Sequence, residues 1–236
     1  MTAAERWDER VRFIESSPLQ GSAFCRGLTA VTDQWVATVY AEALAASGTS
    51  PDGLALVAAG GYGNGLLSPG SDLDILLLHS KRKNVEALTA KLWYPMWDVG
   101  VKLGHGVFTP KDAARLAAGD LEVATTQLAL RRLAGDEALT AEVLDEARTG
   151  WRKRSATWLA ELRTRVAERR ATSGDVAFLL EPDLKDGRGG LRDVHALSWL
   201  DLAQPVLSDT DELALRGAYE VLLRARVELH RRSGRR

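Results

Sequence analysis

Leu54 to His79 reads LALVAAGGYGNGLLSPGSDLDILLLH, and this stretch decides the fold. An apolar run, Leu54–Ala59, leads into a glycine-rich turn. A short loop follows, and Ser71-Asp72-Leu73-Asp74 opens a second apolar run. Both runs are short and continuous enough to be buried strands. Successive strand side chains point to opposite faces, so Asp72 and Asp74 are expected on one face. Two carboxylates beside a glycine turn suit a hard divalent cation. Mg²⁺ takes oxygen ligands and commonly recruits one or two carboxylates plus substrate phosphates. The arrangement suggests an enzyme acting on a nucleoside triphosphate.

An isolated Asp-x-Asp at a strand start is ordinarily a solvated turn; the glycines change that reading. Gly60, Gly61, Gly63 and Gly65 free the backbone for close approach to a ligand. Consecutive N–H groups in such a turn can form an anion-binding nest. Neither standard phosphate fingerprint is present. There is no Gly-x-x-x-x-Gly-Lys-Ser/Thr, and no Gly-x-Gly-x-x-Gly with an acid at the right distance.

Working outward, residues 3–15 and roughly 22–46 read as helices, and Ser47 to Gly53 is a turn-rich break. A helix is expected over 85–97, a third strand over 101–108, and a helix from Pro110, with proline in its first turn. From about 120 onward the pattern reads as helical throughout. Leu159, Leu162 and Val166 share one face, a break follows at Ala171-Thr172-Ser173-Gly174, and a last amphipathic helix spans Leu215 to Leu229. Arg231 to Arg236 reads as a frayed, solvated end. The implied fold class is α/β, or α+β under a stricter label. Its parts are N-terminal helices (1–48), a core carrying the glycine turn and carboxylates (49–120), and a helical region (121–236).

The 236 residues are 45% hydrophobic and 27% charged, an ordinary globular composition with room for a sizeable core. A net charge of −1 provides no global field to recruit nucleic acid or a membrane surface. No apolar run approaches the roughly 18 residues of a membrane span. The single cysteine, Cys25, forms no internal disulfide, and no signal peptide is evident, so a reducing cytoplasm is the expected location.

Gly60-Gly61-Tyr62-Gly63, Pro69 and Ser71-Asp72-Leu73-Asp74 together resemble the signature of the DNA polymerase β-type nucleotidyltransferases. Within them, the bacterial PII uridylyltransferases are the most similar. A second block, EPDLKDGRGGLRDVH over Glu181 to His195, resembles a motif specific to that narrower family. The likeness extends over about residues 50 to 236. It implies a small mixed sheet with flanking helices, followed by a helical region that carries the second block. It also implies transfer of UMP, or AMP, from UTP or ATP to a tyrosine hydroxyl of the PII nitrogen-regulatory protein, with release of pyrophosphate. Asp72 and Asp74 would be the catalytic, Mg²⁺-holding pair. Gly60, Gly61, Gly63 and Ser71 would bind the triphosphate.

Lys185 and Arg192 would contact triphosphate or the acidic partner, oriented by Glu181 and Asp193; the alternative is a tight turn whose charges form structural salt bridges. Asp98 is the candidate third carboxylate. Tyr62 reads as a packing residue and His195 as a helix-face residue. Asn64, Leu66, Phe108 and Leu130 depart from the family pattern, and an acid often found near the strand before His105 is missing at Lys102 and Gly104. Each replaces a group able to touch nucleotide, metal or acceptor, so a weakened nucleotide- or partner-binding pseudoenzyme is the alternative reading, as is a transferase with another acceptor. The chain has no His-Asp dipeptide, and no uridylyl-removing or glutamine-sensing activity is expected of it.

Overall fold

A computed structural model describes residues 1–80 and 85–233. Helices α1 (Ala3–Ser16) and α2 (Gly21–Ser47) precede strand β1 (Leu54–Ala58). The one-turn helix α3 (Gly60–Gly63) leads to β2 (Leu73–His79), α4 (Glu86–Asp98), β3 (Leu103–Phe108), α5 (Pro110–Ala117) and α6 (Leu121–Gln127). Then come β4 (Arg131–Gly135), α7 (Glu137–Lys153), α8 (Ser155–Ser173), α9 (Leu191–Ala203) and α10 (Asp209–Ser233).

The strands form one sheet in the order β3-β2-β1-β4. β1 pairs antiparallel with β2 and β4, whereas β2 and β3 run parallel. The sheet is therefore mixed, as expected. Every residue of β1 is buried, which explains its unbroken apolar run: the strand has helices on both faces. Leu54, Leu56 and Ala58, with Ile75 and Leu77 of β2, join a large core against α2 and α4. The alternate residues Ala55, Val57 and Leu78 pack with Ala113 of α5 and with Leu139 and Val143 of α7. A third cluster joins α6, α7 and α8 through Leu121, Leu128, Trp151, Trp158 and Leu162.

Local signals set the helix ends. Thr2 and Glu5 form a reciprocal capping box at the start of α1. Gly48, at φ +63°, ends α2. Thr109, Asp120 and Asp136 cap α5, α6 and α7 with their side chains.

Two expectations need correction. The region after residue 120 is not wholly helical, because Arg131 to Gly135 forms β4 on the outer edge of β1. Nor is Arg231 frayed: it is half-buried, donates to the Ser17 carbonyl at 3.0 Å and lies over the Phe24 ring. Residues 234–236 lie outside the described residues. Among the described residues, no helix is long and apolar enough to cross a membrane.

Candidate active site

The turn from β1 into β2 places the two halves of the first motif side by side. The Ala59 N–H donates to the Asp74 carbonyl at 2.9 Å, holding the start of the turn against β2. Gly60 has φ +52° and packs on the carboxylate: a Cβ there would lie 2.9 Å from Asp74 Oδ2. On the opposite side, Gly104 of β3 is the register partner of Asp74, and a Cβ there would lie 2.3 Å from Asp74 Oδ1. Asp74 thus sits in a slot between two residues that lack side chains. The sequence marked Gly104 only as a place where the family often carries an acid; the β2–β3 register reveals its place beside Asp74.

The other glycines serve different ends. A Cβ on Gly61 would meet nothing within 4 Å, so this residue opens onto free space beside the slot. A Cβ on Gly63 would lie 1.8 Å from the Ala129 carbonyl oxygen, so this residue allows the turn to pack on the chain entering β4. Ser71 Oγ accepts the Ser68 N–H at 3.0 Å, and the Gly70 N–H donates to His230 Nδ1 of α10 at 3.2 Å. These bonds brace the loop that delivers Asp72.

Burial is the largest influence on the Asp74 carboxyl and raises its pKa; the neighbouring Asp72 charge raises it further. The Lys185 ammonium pulls it back and Glu122 pushes it up again. Two of these charges, Lys185 and Glu122, come from residues distant in sequence. Lys185, from the second motif, acts on Asp74 across the fold. Glu122, on α6, is an additional acid felt there, and Asp98 ends α4. Among the described residues, no group of three or more His, Cys, Asp or Glu forms a metal cluster. Any cation held here would rest on the carboxylate pair together with ligand oxygens.

Within the second motif, three charged residues are held in ion pairs: Asp186 with Arg192, and Asp193 with arginines of α8. Asp193 is buried at the start of α9 and accepts from Arg169 and Arg170 of α8 and from the Gly189 N–H at 2.8 Å. Burial works against its charged form, but the Gly189 amide and the two guanidiniums outweigh this and lower its pKa. Asp193 therefore orients Arg169 and Arg170, not Lys185 and Arg192. Arg192 pairs with Asp186 at 3.0 Å, and Glu181 is exposed. His195 lies on α9 and contacts the Tyr219 hydroxyl at 3.1 Å. Burial and the Arg192, Arg226 and Lys185 charges press its pKa down to about 4.

Three of the departures from the family pattern, Leu66, Phe108 and Leu130, are packing positions. Leu130 is buried and Phe108 packs against it in the cluster below β1. Leu66 packs against the main core. Asn64 is exposed. Tyr62 is fully buried, as its reading as a packing residue expects.

Residues 157–236 match the family model described as GlnD PII-uridylyltransferase. The chain is 43% identical over 228 residues to a bifunctional uridylyltransferase/uridylyl-removing enzyme of Streptomyces coelicolor, covering 96% of the chain and 27% of that protein. A Mycobacterium tuberculosis protein of the same description is 42% identical over 191 residues, covering 78% of the chain and 24% of its own length. One from Caulobacter vibrioides is 32% identical over 250 residues, covering 100% of the chain and 26% of its own length. The chain thus spans about a quarter of the length of these curated relatives.

Proposed function

The chain belongs to the PII-uridylyltransferase family, and on that premise we propose that it transfers UMP or AMP from UTP or ATP to a tyrosine hydroxyl of the PII protein, releasing pyrophosphate. The observation that carries this reading is the Asp74 slot. A carboxylate lies between Gly60 and Gly104, raised by burial and by Asp72, and felt by a lysine from the second family motif. The half-buried Asp74 carboxylate, its pKa raised by burial and by the Asp72 charge, is costly in its ionised form, and a bound cation would favour that form. That donor set fits Mg²⁺, which would be held by Asp72 and Asp74 with phosphate oxygens completing its ligands. When bound, the ion supplies charge stabilisation at the transferring phosphoryl group.

The chain's own residues do the remainder. Gly61 leaves room for a phosphate beside the slot. Ser71 uses its oxygen to brace the loop, which leaves its hydroxyl proton for an anionic ligand. Lys185 offers a point charge to the phosphates. Arg192 is tethered by Asp186 and serves the acceptor side or the turn itself. The packing roles of Leu66, Phe108 and Leu130 weigh against the pseudoenzyme reading, because these positions hold core side chains. One buried cysteine, Cys25, suits the reducing cytoplasm in which this reaction would occur.

The test is incubation of the chain with Mg²⁺, purified PII and labelled UTP or ATP in parallel. The expected result is a PII tyrosine heavier by one nucleoside monophosphate. Tight nucleotide binding with no modified PII would return the pseudoenzyme reading.

A further inference from the structure

We propose that Asp33, in the middle of α2, is a positioning residue that holds the nucleotide turn from beneath through Tyr62 and Arg131; this rests on the transferase reading above. Tyr62 is the one residue of the Gly60–Gly63 turn with a side chain, and that side chain points into the core. Its hydroxyl donates to Asp33 Oδ1 at 2.7 Å. Arg131, the first residue of β4, grips the same carboxylate with both terminal nitrogens, at 2.7 and 3.0 Å. One of those nitrogens also reaches the Tyr62 carbonyl at 3.4 Å, and the guanidinium lies 5.5 Å from the Tyr62 ring centroid. A single carboxylate therefore fixes both the side chain and, through arginine, the backbone of the turn.

The geometry suits positioning more than simple stabilisation. A fork-to-carboxylate pair fixes direction as well as distance. The turn it anchors packs directly on Asp74 through Gly60, so a shift at Tyr62 is transmitted to the slot. Asp33 and Arg131 lie 98 residues apart in sequence, on the two elements that flank the turn. Their side chains are only about a third exposed, so neither the carboxylate nor the guanidinium is a freely solvated surface charge.

The experiment separates position from stability. Two variants are compared with the parent: Asp33→Asn, and Asp33→Leu combined with Arg131→Met. The second removes both charges together and leaves neither half-buried and unpaired, so it is expected to stay folded and to melt only slightly below the parent, the Tyr62 hydroxyl having lost its acceptor. Binding of Mg·UTP and Mg·ATP is measured by calorimetry, beside melting curves. The expected result is a dissociation constant raised about tenfold or more in both variants, with the double variant still folded and thermally near the parent. A double variant that stays folded and binds like the parent overturns the proposal. If the parent binds nucleotide and Asp33→Asn binds equally well, the positioning role alone is lost. If the parent binds neither nucleotide, the transferase reading falls and takes this inference with it.

Discussion

In the stretch from Gly60 to Asp74, a half-buried carboxylate is wedged between glycines and faces a second acid; in the stretch from Glu181 to His195, the buried carboxylate is ringed by two arginines and an amide. The second motif is the more specific as sequence, and the pKa shifts of the two carboxylates have opposite signs. Asp74 is raised by burial and by Asp72. Asp193 is lowered because its partners outweigh burial. A carboxylate whose protein partners satisfy it holds a structure together. One that the protein leaves costly calls for a cation from outside. Lys185 joins the two regions: it belongs to the second motif by sequence and to the first by its action on Asp74.

The sharpest way to break this contrast is Asp193→Ala. It strands Arg169, whose side chain is 12% exposed, and the Gly189 N–H. Removing one partner of such a buried pair costs about 3–5 kcal/mol. Urea denaturation should show that loss, and nucleotide affinity should change little in the molecules that remain folded. A loss of affinity without loss of stability would make Asp193 part of the site.

Lys185→Met probes the residue that links the regions. It removes a charged contact to phosphate worth about 1.5–3 kcal/mol and leaves the Asp193 knot intact. The KM for the nucleotide should rise by about ten- to a hundredfold, with only a slight fall in melting temperature from the lost Lys185–Asp74 attraction. An unchanged KM would confine the second motif to a structural role.

The smallest effect concerns the stability cost of Asp74. Its folded pKa is raised, so the ionised form is disfavoured in the native state. That cost is absent below the ordinary carboxylate pKa and fully present above the raised one. Asp74→Asn should therefore raise the melting temperature at pH 7, by about 2–4 °C for each kcal/mol of cost relieved. The gain should disappear as pH falls below the ordinary carboxylate range. Destabilisation at pH 7 would mean that the carboxylate is satisfied by the protein.

Where a signal was local, the sequence was readable. β1 and β2 announce themselves as apolar runs of strand length, and α5 begins at Pro110, as the proline in its first turn predicts. β4 did not, because Arg131-Arg132-Leu133-Ala134-Gly135 has neither an apolar run nor clean alternation. Pairing with β1 makes it a strand, with an irregularity in register between Leu56 and Val57. Asp72 and Asp74 were visible as a pair; the part played by Gly104 was not, since it depends on a parallel partner strand. Asp33 was hidden for the same reason, its arginine being far along the chain. Phe108 and Leu130 looked like lost site groups because a linear motif cannot show which positions face the core.

Asp72 and Asp74 are proposed to carry the chemistry, with the Asp74 carboxylate a cost to stability at neutral pH. The direct measurement is transfer of labelled nucleotide to purified PII by the parent, Asp72→Asn and Asp74→Asn, each with its melting curve. Both variants should lose about a hundredfold or more of the transfer rate, and Asp74→Asn should melt no lower than the parent. Either variant transferring at close to the parent rate would contradict the account.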